Sequence, residues 1–203
     1  MKPDKILFID TETGGIDPSI DSLLSIGLVV WKESRIIGEK EILVNDGVLH
    51  VTDQALAING IDLEEHKKAA VSPGQAIQAF DEFLAQYFEA GEKVTLGGHN
   101  INFDVNFLKT FLTKNNYSFQ QRFSHRHVDT ASVLFYLYLT GKLKQKIVSS
   151  QDAFDFFGIT VTGRHTALGD AVATATLFTK LVSILYRDGK TRTASKDTMP
   201  ELF

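Results

Sequence analysis

The stretch "FIDTETGG" (residues 8–15) ends an apolar run in two carboxylates, Asp10 and Glu12. Residues i and i+2 of a strand face the same side, roughly 7 Å apart. Both acids are therefore expected to point one way at the edge of the core, ahead of a turn that Gly14 and Gly15 permit. A lone pair of this kind is ordinarily a solvated strand end. Two further stretches change the balance. "GHNINFDVNFL" places Asp104 at the start of an amphipathic helix, and "GRHTALGDAVATATLF" places His165 just before a helix whose first turns carry Asp170. Asp170 is flanked by Ala167, Gly169, Ala171 and Ala173, small residues that let a carboxylate approach a neighbouring element. Taken singly, Asp104 is a normal helix-dipole acid and His165 a surface imidazole. Gathered together, the four acids would repel one another and raise each other's pKa. Divalent cations remove that cost, and a set of hard oxygen ligands suits Mg2+ or Mn2+.

The elements that must position these groups follow from hydrophobic period. Residues 6–10, 23–31 and 35–45 read as strands, the last two joined by "KES" into an antiparallel hairpin. Residues 52–61 read as a short helix capped by Thr52 or Asp53 and ended by Gly60. From Pro73 the apolar spacing becomes helical, with Ala76, Ile77, Phe80, Phe83, Leu84, Tyr87 and Phe88 on one face. "KVTLGGHN" reads as a strand ending in a Gly-Gly turn. The helix after it carries Phe103, Phe107, Leu108, Phe111 and Leu112 on its apolar face. "RHVDT" is a strand, followed by the helix "ASVLFYLYL", a short helix capped by Ser149 or Ser150, and a long final helix. Three strands first, then strands alternating with helices, predict an α/β fold: a mixed sheet with an antiparallel edge, flanked by helices.

The chain has 203 residues, 43% of them hydrophobic, with 25 acidic against 21 basic side chains and a net charge of −4. Size and composition suit one domain over residues 1–186, with residues 187–203 as a flexible, polar C-terminal tail. No run of about 18 apolar residues indicates a membrane span. The N-terminal apolar run is too short for a signal peptide, and without cysteines there is no disulfide or thiolate site. A cytoplasmic location is the expectation. The net charge argues against extended duplex binding. The four acids equal it, however, so with cations on them the rest of the chain does not repel a polyanion overall.

The three acidic stretches resemble the three motifs of the DnaQ-like exonucleases, the DEDD superfamily in its histidine branch. "FIDTETGG" is similar to the first motif, "GHNINFD" to the second, and "HTALGD" to the H-x-A-x-x-D form of the third. The resemblance spans about residues 5–183. One departure is Ser25, where many members carry a glutamate. The resemblance implies a ribonuclease-H-like fold and removal of nucleotides from the 3′ end of single-stranded or frayed DNA, as in proofreading and repair. It implies two divalent cations on Asp10, Glu12, Asp104 and Asp170, with His165 taking the proton of the attacking water. Thr13 and Gly14 would offer backbone donors to the terminal nucleotide, and Asn100 a phosphate contact. Phe103, Phe107 and Phe123 are candidates for base stacking. Lys142, Lys144, Lys146, Arg122, Arg126 and Arg164 are candidates for phosphate contact. An RNA-directed member of the ribonuclease T or oligoribonuclease type uses the same five residues and is the alternative. A non-catalytic module on this fold and a metal-dependent phosphatase are further readings.

"DTMPELF" ends in Leu202-Phe203. Met199–Phe203 resembles the peptides by which bacterial replication proteins hold the sliding clamp, so a clamp or a DNA polymerase is the expected partner.

Overall fold

The computed structural model describes residues 5–163 and 165–192. β1 (Lys5–Thr13), β2 (Leu23–Lys32) and β3 (Arg35–Leu43) pair antiparallel. Glu33 and Ser34 turn the β2–β3 hairpin with φ of 50° and 63°, the left-handed pair whose twist matches a tight hairpin. α1 (Asp53–Asn59), α2 (Leu63–Ala69) and α3 (Pro73–Tyr87) follow, then β4 (Val94–Gly98) and α4 (Asn102–Lys114). α5 (Phe119–Arg122), β5 (Phe123–Asp129), α6 (Thr130–Leu139), α7 (Ser150–Phe156) and α8 (Ala167–Arg192) complete the chain. The sheet order is β3-β2-β1-β4-β5, with β4 and β5 parallel to β1. This is the mixed, helix-flanked sheet expected of a ribonuclease-H-like domain.

Alternation along β1 sends successive side chains to opposite faces. Leu7 and Ile9 join the core built with α3 and α4, including Phe80, Leu84 and Leu108. Ile6 and Phe8 face the other way, onto Ala171 and Ala175 of α8. Phe8 is fully buried, its ring 5.3 Å from that of Phe178. Trimming such a side chain to alanine costs about 3–5 kcal/mol. The segment Ala167–Tyr186 is long and apolar enough to cross a membrane by length and composition. Here Ala171, Ala175, Leu177 and Leu181 are buried against the sheet and against α6 and α7.

The caps fall where expected: Thr52 accepts from Ala55, Gly60 ends α1 at φ 67°, and Ser149 caps α7. Several features differ, among them helix α5, which no expected element covers, and β1, which runs on to Thr13. α2 was not anticipated, because only His66 of its seven residues is buried and no apolar stripe marks it. The two glycines of "LGGHN" lie inside β4 rather than in a turn. A Cβ on Gly97 would stand 2.8 Å from the Phe8 ring and one on Gly98 2.4 Å from Ile101, so they are there for close packing. The chain instead reverses at Asn100, φ 57°. β3 ends at Leu43, and Val44 bridges to Val71. α8 continues to Arg192, past position 186. Residues 193–203, with the Met199–Phe203 segment, and Arg164 lie outside the described residues.

Candidate active site

The far end of β1 carries Asp10 and Glu12 on the α8 face, and α8 brings Asp170 to them. One ligand oxygen from each of the three half-buried carboxylates lies within 4.8 Å of the others. Small residues make that approach possible. A Cβ on Gly169 would lie 2.2 Å from the carbonyl oxygen of Gly163, so the first turn of α8 packs onto backbone. The Leu168 N–H donates to Glu41 Oε1 at 3.4 Å. Two ionised carboxylates at such spacing repel by about 3–4 kcal/mol at an effective dielectric near 20. Three hard oxygen donors in one place match the ligand chemistry of a small divalent cation.

Asp104 arrives from the opposite face of the sheet. It is 5% exposed, and its Oδ1 accepts from both the backbone N–H and the hydroxyl of Thr11, each at 2.8 Å. Thr11 sits between the two β1 acids, so Asp104 is clamped beside them rather than within the three-carboxylate group. Burial pushes its carboxyl up to about 7, against the Thr11 hydrogen bonds, which pull it down.

Asp10 and Asp170 open into a cavity of about 290 Å3, whose wall includes His99, Asn100, Ser149 and Thr174. Asn100 is exposed, and its backbone N–H donates to Asp129 Oδ1 at 2.8 Å. His99 was not singled out from the sequence, although it lies next to Asn100 in the same stretch. Its Nδ1 is 3.0 Å from Thr130 Oγ1. Burial lowers its pKa, with Asp129 opposing. His165 is exposed, at φ 62°, in the Gly163–Thr166 turn before α8 and is not part of this wall.

The remaining expectations divide. Thr13 is buried and its hydroxyl donates to the Gly15 carbonyl at 2.7 Å. The Gly14 N–H is not available to a nucleotide: it donates to Ser22 O at 2.8 Å, because the loop after β1 folds back on it. Gly14 contributes closeness instead, since a Cβ there would stand 2.0 Å from His50 O. Phe107 and Phe123 are core residues, 2% and 3% exposed, and so unavailable for stacking, whereas Phe103 is 40% exposed. Arg122 donates to the carbonyls of Glu89 and Glu92 and serves the α3–β4 connection. Arg126, Lys142, Lys144 and Lys146 are exposed. Ser25 is buried directly opposite Glu12 in the β1–β2 register.

The chain is similar to known proteins in both sequence and fold. The family model RNase_T, described as Exonuclease, matches residues 7–178. A PolC-type DNA polymerase III of Thermotoga petrophila is 25% identical over 195 residues, 95% of this chain. The chain spans only 13% of that polymerase's length. Ribonuclease T of Escherichia coli K12 is 27% identical over 188 residues, covering 86% of this chain and 83% of the relative. Among solved structures, E. coli Exonuclease I in complex with a dT13 oligonucleotide superposes with a TM-score of 0.74. It shows 19% identity over 93% of this chain and 43% of the other. With the family model matching most of its length, the chain belongs to the RNase_T exonuclease family.

Proposed function

We propose that the protein is a 3′-to-5′ exonuclease of the DEDD type, acting on single-stranded or frayed DNA ends and releasing nucleoside monophosphates. The observation that carries this reading is the convergence of Asp10, Glu12 and Asp170 within 4.8 Å, beside Asp104. Asp10, Glu12 and Asp170 would hold one divalent cation, and Asp10 with Asp104 a second; Mg2+ or Mn2+ suits these oxygens. Bound there, such ions polarise the scissile phosphate and stabilise the attacking and leaving oxygens.

The chain's own groups supply the rest. His165, on its exposed turn before α8, takes the proton of the water that attacks phosphorus. The bond from phosphorus to the 3′ oxygen of the preceding nucleotide breaks, and that oxygen takes up a proton to become the new 3′ end. Asn100, on the cavity wall, contacts the terminal nucleotide, with Thr13 at the end of β1 as the second contact. Phe103 offers an aromatic face to a base. Exposed Lys142, Lys144 and Lys146 attract the strand.

The PolC-type DNA polymerase III relative favours DNA and a polymerase setting; the Leu202-Phe203 ending of Met199–Phe203 is what supports a sliding-clamp partner. The expected cytoplasmic location fits that setting. Ribonuclease T, similar over most of its length, favours RNA as the second reading. DNA and RNA oligomers of equal sequence, digested side by side, separate them. Faster shortening of DNA supports the proposal, and exclusive digestion of RNA replaces it with the second reading.

A further inference from the structure

We infer that His99 is a hydrogen-bond acceptor built into the wall of the acidic cavity, its Nε2 receiving an O–H group of the bound strand end or of a water held there. The inference rests on the exonuclease reading above.

The tautomer follows from a chain of contacts. Thr130 is fully buried, and its hydroxyl donates to the Gly98 carbonyl at 3.0 Å. A hydroxyl has one proton to give, so Thr130 Oγ1 can only accept from His99 Nδ1, 3.0 Å away. The ring proton therefore sits on Nδ1, and Nε2 carries a lone pair. That nitrogen is buried and has no hydrogen-bond partner among the described residues. Leaving a buried polar atom unmatched is unfavourable, so each one in a folded protein calls for a physical reason, a catalytic role or a bound water among them.

His99 lines the same cavity as Asp10 and Asp170, yet it is not in the group whose ligand atoms lie within 4.8 Å of one another. It lines the space that Asp10 and Asp170 share without belonging to the carboxylate cluster. Phosphate oxygens cannot satisfy it, because a lone pair needs a donor. A sugar hydroxyl or a water can. Burial keeps the ring neutral, so it accepts the hydrogen bond without adding charge to an acidic wall. Among the described residues the other buried imidazole nitrogen without a partner, His127 Nε2, belongs to β5 and does not line this cavity. It provides an internal control.

Three variants of the full chain test the inference. His99→Asn keeps an amide donor for Thr130 and deletes the ε acceptor. His99→Gln returns an oxygen near the ε position, and His127→Asn is the control. Each is assayed with Mg2+ on 5′-labelled oligomers ending in a ribonucleotide, a deoxynucleotide or a 3′-deoxynucleotide. The His99 ring nitrogens are followed by 15N NMR with and without oligonucleotide. His99→Asn should lose about tenfold or more in kcat/KM, His99→Gln should recover most of it, and His127→Asn should match wild type. A loss in kcat alone, the same on every oligomer, assigns the donor to water. A loss in KM that disappears when one sugar hydroxyl is missing assigns it to the strand end. The inference is overturned if His99→Asn behaves as wild type, if His99→Gln is no better than His99→Asn, or if NMR finds Nε2 protonated. Wild type that shortens no oligomer sinks the exonuclease reading instead. In that case the Nε2 resonance decides separately, by moving or not moving when oligonucleotide is added.

Discussion

Gly27 of β2 and Ala167 of α8 are in backbone contact: a Cβ built on Gly27 would stand 2.1 Å from the Ala167 carbonyl oxygen. Gly27 is also the register partner of Asp10. The missing methyl thus lets α8 start directly over the strand pair that carries the acids, and Asp170 follows within the first turn. Gly27→Ala should push that turn away, costing about 1–3 kcal/mol of stability and weakening Mn2+ binding by more than tenfold. Urea unfolding and calorimetric titration measure the two effects. Unchanged Mn2+ affinity would separate Gly27 from the site.

Thr11→Val removes one of the two hydrogen bonds to Asp104 Oδ1 and leaves the backbone one in place. Above pH 7, where Asp104 is mostly ionised, a hydrogen bond to a charged group is worth about 1.5–3 kcal/mol, so the urea midpoint measured there should fall accordingly. Thr11→Ser, which keeps the hydroxyl, should lose less. A loss in Thr11→Ser larger than that in Thr11→Val would show that the methyl, not the hydroxyl, matters.

Asp170→Asn removes one of three gathered negative charges. In EDTA the variant should melt a few degrees above wild type, since about 1 kcal/mol shifts a domain of this size by about 2–4 °C. Mg2+ or Mn2+ should then raise the melting temperature of wild type and leave the variant nearly unmoved. A variant that melts lower in EDTA would mean the three carboxylates do not repel.

The Asp104 carboxyl binds its proton more tightly in the native state, at about 7, than at its ordinary value of 3.8. Its stabilising contribution is therefore complete at low pH and is lost as pH rises from about 4 through 7. In EDTA, unfolding by urea should become easier between pH 5 and 8, by about 3 kcal/mol at the upper limit that such a shift allows. Asp104→Asn should flatten this trend. A wild-type profile already flat across that window would contradict the assignment.

The three acidic stretches could be found from residue type alone, because strand ends, glycines and carboxylates recur there together. The β2–β3 hairpin and the caps at Thr52, Gly60 and Ser149 were legible for a similar reason: each depends on a few neighbouring residues. What was not legible depends on residues distant in the chain. That Asp104 reaches the site from the opposite face, through Thr11, is decided by where β1 parts from β4. That the Gly14 N–H is taken by Ser22 depends on how the intervening loop returns. Arg122 looked free for phosphate until the α3–β4 connection folded over it. His99 became visible only when Thr130, 31 residues on, fixed its tautomer.

The most direct test of the central claim, that the three converging carboxylates hold cations for hydrolysis from the 3′ end, is digestion of a 5′-labelled single-stranded oligomer resolved by length. With Mg2+ or Mn2+, wild type should give a ladder shortened one nucleotide at a time from the 3′ end, abolished by EDTA and by Asp10→Ala in a folded protein. Shortening that survives EDTA or the Asp10→Ala change, or no shortening with either metal, would contradict it.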